Sequence, residues 1–223
     1  MELREYQKDA LSKMHNGCIL CGGVGSGKSL TALAYAKLHG YLDVYIITTA
    51  RKRDTNEWES DIQKHGGLDE YTFKVDSWNN IKKYVDVKDA FFIFDEQRVI
   101  GHGEWVKCFL QITKKNKWIL LSATPGDSWE DYIPVFIANG FYKNRTEFLH
   151  QHAVFSKFSK YPKIEKYIDE GLLIFYKDKI LVPMYFNRKT TQHHINVFCD
   201  YDITKYRYVM RNRWDIFNNK PIE

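Results

Sequence analysis

A chain of 223 residues with 44% hydrophobic and 16% aromatic content can bury one good core with an appendage, which sets the expectation of one main domain. Its 33 Lys+Arg against 28 Asp+Glu give a net charge of +5, compatible with a basic face but too mild to require a nucleic-acid partner. Charged Glu2, Arg4 and Glu5 behind Met1 give no sign of a secretory leader, no apolar run reaches the ~20 residues that span a bilayer, and Cys18, Cys21, Cys108 and Cys199 make no disulfide framework, so a soluble cytoplasmic chain without a membrane partner is expected.

Leu3, Tyr6, Ala10, Leu11 and Met14 recur at helical spacing, which predicts a short amphipathic opening helix. Cys18-Ile19-Leu20-Cys21 is an apolar run of strand length, its cysteines read as small strand residues, and Ser29 to Leu38 carries Leu30, Leu33, Ala34 and Leu38 on one helical stripe. Between them, Gly22-Gly23-Val24-Gly25-Ser26-Gly27-Lys28-Ser29 matches the phosphate-binding pattern G-x-x-x-x-G-K-[ST] in the strand and helix context it requires. Val44 to Thr49 reads as a second strand, and Asp54 as the cap of a helix through Trp58 and Ile62 to His65, stopped by Gly66-Gly67. A third strand is expected over Tyr71 to Val75, then a helix capped by Asp76-Ser77. Ala90 to Phe94, the most continuously apolar run, reads as a central strand ending in Asp95-Glu96. A helix over Glu104 to Ile112, a strand over Trp118 to Leu121 ending in Ser122-Ala123-Thr124-Pro125, and a helix over Trp129 to Ala138 stopped by Gly140 follow. Beyond residue 150 the rhythm changes to a helix over Pro162 to Gly171, a hairpin of Leu172 to Tyr176 with Ile180 to Met184, a strand over Asn196 to Cys199 and a helix over Ile203 to Phe217. The alternation through residue 140 predicts an α/β fold whose mainly parallel sheet is covered by helices on both faces, with function gathered at the carboxyl ends of the strands.

Each candidate site has a chemical reason. A strand that ends where a helix begins aims unpartnered N–H groups and the positive end of the helix dipole at one point, which suits an anion. Gly22, Gly25 and Gly27 are expected to permit positive φ and close approach to the β-phosphate, and Lys28 to supply a point charge to the β- and γ-phosphates. Ser29 offers a hydroxyl to Mg²⁺. Gly23, Val24, Ser26 and Leu30 complete the expected nucleotide contacts of the loop. Asp95 is expected to hold Mg²⁺ through its hydration shell, and Glu96 to orient and deprotonate the attacking water.

The order Leu3-Arg4-Glu5-Tyr6-Gln7, Gly25-Ser26-Gly27-Lys28-Ser29, Asp95-Glu96-Gln97-Arg98 and Ser122-Ala123-Thr124-Pro125 resembles the N-terminal RecA-like lobe of superfamily 2 helicases and translocases. Within that superfamily the Leu-Arg-x-Tyr-Gln opening, Trp58 and Ser122-Ala123-Thr124-Pro125-Gly126 look closest to Swi/Snf-type enzymes and their small phage relatives, while Gln97-Arg98 departs from the Ala-His or Ala-Asp of many members. The resemblance implies a RecA-like P-loop NTPase fold that binds ATP with Mg²⁺. It implies that Gln7, with Arg4 beside it, reads the adenine edge, because an amide joins a donor to an acceptor. It also implies that Ser122 and Thr124 couple hydrolysis to movement, that Thr49, Arg51, Lys52 and Ser77 lie near a strand's phosphates, and that the partner is DNA, with RNA left open. Residues 1–150 would form the ATP-binding domain and 151–223 a helix and hairpin extension leading towards a second lobe of a full-length protein from a bacterium or a phage-infected cell. The implied function is the ATP-binding lobe of a nucleic-acid-dependent ATPase that moves on DNA when paired with that lobe. The alternative is an ATP-binding regulatory or nucleic-acid-binding module with little or no turnover.

Overall fold

Two-sided burial shapes the centre of this chain. In strand β4 (Phe91–Asp95) Phe92 and Phe94 point into one apolar cluster while Phe91 and Ile93 point into another, and all four are buried. Successive side chains of a strand face opposite ways, so an unbroken apolar run is stable only where both faces are covered. The computed structural model describes residues 2–65, 70–96, 99–157, 161–186, 195, 197 and 200–221.

In chain order, helix α1 (Glu5–Lys13) leads to β1 (Ile19–Cys21), α2 (Lys28–Leu38), β2 (Asp43–Thr48), the short α3 (Ala50–Asp54) and α4 (Glu57–His65). Strand β3 (Thr72–Ser77) and a 3-10 helix (Trp78–Tyr84) precede β4, and α5 (Glu104–Thr113), β5 (Lys117–Ser122), α6 (Trp129–Ala138) and α7 (Arg145–His152) follow it. A small antiparallel pair, β6 (Ala153–Phe155) with β7 (Ile164–Tyr167), is succeeded by α8 (Glu170–Ile180) and β8 (Leu181–Pro183). The main sheet has six strands in the order β3-β2-β4-β5-β1-β8, and every pairing in it is parallel. Residues of α1, α2 and α4 join the cluster on one face, and those of α5, α6, α7 and α8 the cluster on the other. Full burial of one such aromatic side chain contributes about 1.5–3 kcal/mol, so β4 and β5 anchor the sheet.

The predicted α/β architecture is thus present, and several local expectations are corrected. Residues 172–176 and 180–184 do not form a hairpin: α8 runs through the first, and β8 joins the sheet beside β1 in parallel. Leu173 and Ile180 are buried on one side of α8, a helical spacing that the apolar run Leu172 to Tyr176 had masked. The helix expected over 162–171 is replaced by β7, which pairs with β6. Asp54 ends α3 instead of capping α4, and the segment after Ser77 is a 3-10 helix. The last helix, α9 (Ile203–Asn212), stops before Phe217, with Arg213 at φ 51° and a short antiparallel pair, β9 (Trp214–Asp215) with β10 (Lys220–Pro221), behind it. The glycine stop at 66–67 and the strand over 196–199 fall outside the described residues. The chain divides into two compact units, residues 1–186 and 187–223, and β8 at the edge of the main sheet belongs to the first. Among the described residues no helix is long and apolar enough to cross a membrane.

Candidate functional site

The carboxyl ends of β1, β2, β4 and β5 converge on one edge of the sheet. At the end of β1 the chain turns through residues 22–27 into α2, with Gly27 as N-cap at φ 81° and Gly25 also at φ 81°. The left-handed φ of Gly27 strains any other residue there, and a Cβ would also sit 2.4 Å from Gln7 Nε2, so the brace from Gln7 would have to give way. Gly22 corrects the expectation of positive φ: it is required for space, since a Cβ there would come within 2.7 Å of Ser26 Oγ and 3.0 Å of Met184 Cβ.

The loop is braced from α1. Tyr6 donates its hydroxyl hydrogen to the Ser26 carbonyl at 3.0 Å, and Gln7 Nε2 donates to the Gly27 carbonyl at 3.3 Å. Gln7 Oε1 accepts from the Arg4 N–H at 2.9 Å, so the buried amide that was expected on adenine is held at both ends by the chain itself, while Arg4 is exposed at the helix start. Lys28 arches back across the loop and donates from Nζ to the carbonyls of Gly22 (2.7 Å) and Gly23 (3.1 Å). Burial lowers its pKa, opposed by Asp95 and reinforced by Lys52. Gly23, Val24 and Gly25 form the exposed lip, whereas Ser26 is buried and its hydroxyl has no partner among the described residues. Ser29 and Leu30 are half-buried in the first turn of α2.

At the end of β4, Asp95 is only 2% exposed, and its Oδ2 accepts from Thr48 Oγ1 (2.9 Å), Lys52 Nζ (2.9 Å) and Trp58 Nε1 (3.0 Å). Trp78 Nε1 donates to the Asp95 carbonyl at 3.1 Å, so two buried indoles fix both the side chain and the main chain at the strand end. Glu96 has φ 55°, a left-handed backbone uncommon for a residue with a side chain, and its Oε1 lies 3.0 Å from Lys52 Nζ. Burial disfavours the Lys52 ammonium, but the two carboxylates outweigh it and hold its pKa above the ordinary lysine value.

The remaining candidates are distributed unevenly. Ser122 ends β5 in register with Cys21. Its carbonyl accepts from the Gly22 N–H at 3.1 Å and its hydroxyl from the N–H of the exposed Thr124 at 3.1 Å. Thr49 caps α3 by accepting from the Lys52 N–H at 3.3 Å, and Arg51 is exposed. Ser77 is buried, with Arg53 Nη1 donating to its hydroxyl at 3.0 Å. Lys52, expected on nucleic-acid phosphates, is held by the two carboxylates instead. Thr49, Ala50, Ser77, Trp78, Asn79 and Trp105 line a cavity of about 180 Å³. Sequence reasoning missed Trp105, the bonds of Thr48 and Trp58 to Asp95, and the Lys52 bridge. Only Trp58 carried a signal, as a tryptophan set beside Ile62 in a helix whose other residues are polar.

The residues present fit a polyphosphate and a hydrated divalent cation. The first N–H groups of α2 face the loop, Lys28 already seeks oxygen there, and a Cβ built at Gly23 or Gly25 meets nothing within 4 Å, so the lip opens onto free space. The Ser29 hydroxyl makes no hydrogen bond to any described residue, and the three side-chain donors on Asp95 all choose Oδ2, leaving Oδ1 for a ligand.

This fold is RecA-like: a parallel sheet covered by helices on both faces, with the phosphate-loop turn at the end of its first strand. No protein-family model matches the chain, and no curated protein matches it. Among solved structures it is similar to the helicase domain of Hef from Pyrococcus furiosus, with a TM-score of 0.52 and 17% identity. The likeness covers 69% of this chain and 41% of that one, so the chain spans less than half the length of its structural neighbour.

Proposed function

We propose that this chain is the ATP-binding lobe of a nucleic-acid-dependent ATPase of the superfamily 2 type, coupling hydrolysis to movement on DNA when paired with a second lobe. The observation that carries the reading is the meeting of the Lys28 loop and the Asp95-Glu96 pair on one sheet edge. Strands β1 and β4 are separated only by β5, so their ends lie about 10 Å apart, the span of a triphosphate with its cation. In this reading Lys28 exchanges the Gly22 and Gly23 carbonyls for phosphate oxygens, and Ser29 and Asp95 hold hydrated Mg²⁺. The metal, when bound, would supply charge neutralisation on the phosphates. Glu96 accepts the proton of the attacking water, and Ser122, bonded to Gly22, relays the state of the loop to β5. Tyr6 and Gln7 brace the loop. Arg51 and the slot beside Thr49 and Trp105 face the nucleic acid.

Calorimetric titration with Mg·ADP tests this assignment. Loss of a charge-assisted contact costs roughly 1.5–3 kcal/mol, so Lys28→Ala should bind at least about tenfold more weakly than the parent chain. Glu96→Gln should keep its affinity for Mg·ADP, and in a version extended through a second lobe and given Mg·ATP it should release no phosphate. Equal affinity of Lys28→Ala and the parent would refute the phosphate assignment.

A further inference from the structure

The basic run Arg51-Lys52-Arg53 sends its three cations in three directions. Arg51 is exposed, Arg53 turns to Asp54, Asp76 and Ser77, and Lys52 alone reaches the hydrolytic carboxylates. Its ammonium lies 2.9 Å from Asp95 Oδ2 and 3.0 Å from Glu96 Oε1. The reach is set by the backbone, because Thr49 caps the turn that carries Lys52.

We propose that Lys52 is a positioning residue of this site: its ammonium holds the Asp95 and Glu96 carboxylates side by side before a metal arrives, and it competes with that metal for them. The inference rests on the hydrolytic reading of Asp95 and Glu96. Two adjacent carboxylates at a half-dry strand end repel each other, and a compact point charge on a flexible stem is suited to bridging them. The bridge also supports Glu96, whose left-handed backbone persists only where its surroundings over-determine it. Lys52 is half-buried, so solvent screens the bridge only in part. A divalent cation entering here meets a site whose charge is already partly neutralised. Removing Lys52 should therefore strengthen the metal's hold and weaken that of metal-free nucleotide, an opposed pair of effects that loss of packing alone does not produce.

The test is calorimetric titration of ADP into the 223-residue parent chain, Lys52→Met, Lys52→Gln and Lys52→Arg, each with excess Mg²⁺ and with the metal chelated. The readout is the ratio of the two affinities, and melting curves report whether each variant is folded. Lys52→Met should raise the ratio about tenfold, as should Lys52→Gln, which keeps a donor without the charge. Lys52→Arg should leave it within about threefold, since the charge remains. An unchanged ratio in a folded neutral variant that still binds ADP would overturn the role given to Lys52 while leaving the nucleotide site standing. A parent chain that binds ADP under neither condition would overturn the site itself, and the role of Lys52 with it.

Discussion

Trp58→Phe isolates what one indole does for the carboxylate. Trp58 and Asp95 are each 2% exposed, and their bond is 3.0 Å long, so the phenyl ring keeps most of the apolar contact and removes the donor. A hydrogen bond to a buried charged group contributes about 1.5–3 kcal/mol, and the space left by the smaller ring adds about 1 kcal/mol. The substitution should thus cost about 2.5–4 kcal/mol. For a unit of this size it should lower the melting temperature by about 5–15 °C, at roughly 2–4 °C per kcal/mol. Loss of packing alone would produce part of the same number, so the bond must be separated from the ring. A double-mutant cycle with Asp95→Asn does this, because the neutral amide no longer receives a charge-assisted bond. Urea unfolding of the parent, both single variants and the double variant should give a coupling of about 1–2 kcal/mol. Coupling below about 0.5 kcal/mol would show that Trp58 only fills space, and that Asp95 is oriented by Thr48 and Lys52 alone.

Asp76 should make stability depend on acid. Burial alone would raise its pKa, but bonds from Asn80, Tyr84, the Ser77 N–H and Arg53 outweigh it and lower the value. A carboxylate with a depressed folded pKa contributes stability that is full above its unfolded value of about 3.9 and is lost as pH falls through the folded one. Urea midpoints of the parent should therefore fall more steeply below about pH 4 than those of Asp76→Asn, and parallel curves would refute the role. On nucleic acid, fluorescence anisotropy should show weak, sequence-insensitive binding that falls steeply with salt, and Arg51→Ala should reduce the salt slope. Trp105→Ala should weaken single-stranded DNA about tenfold while sparing duplex, as expected if a base stacks in the slot it walls. Binding indifferent to salt would refute the phosphate contacts.

The sequence made legible whatever is written locally. Gly22 to Ser29 announces a turn because its residue types and its flanks agree, and Phe91 to Phe94 announces a two-sided strand because no polar residue interrupts it. The same logic failed at Leu172 to Tyr176. An apolar run of five residues is as compatible with a strand as with a buried helix segment, and Leu173 and Ile180 sort themselves only once a sheet edge and α6 exist to pack against. Local reading also placed Lys52 by its basic neighbours. Its carboxylate partners lie 43 and 44 residues away, joined through the parallel pairing of β2 with β4, and no short-range pattern encodes that distance. Gln7 shows the converse: the residue was singled out for adenine, and its amide is bonded to Arg4 and Gly27, partners fixed by how α1 docks on the loop.

The position of β5 gives the proposed coupling its physical basis. It lies between β4, which presents Asp95, and β1, which presents the loop, with Leu121 in register with Asp95 and Ser122 with Cys21. The Ser122 carbonyl holds the Gly22 N–H, the first backbone donor of the loop, while the Ser122 hydroxyl holds the Thr124 N–H and so fixes the turn that leaves the strand. A change at the loop therefore meets the segment around Thr124 through two hydrogen bonds and one residue. The strand beneath is buried on both faces, so it does not absorb such a change by repacking; densely packed interiors transmit displacement. A signal passing from the loop is thereby directed outward, into the exposed residues that follow Ser122. In the proposed function, that is where a second lobe or a nucleic-acid strand would meet it.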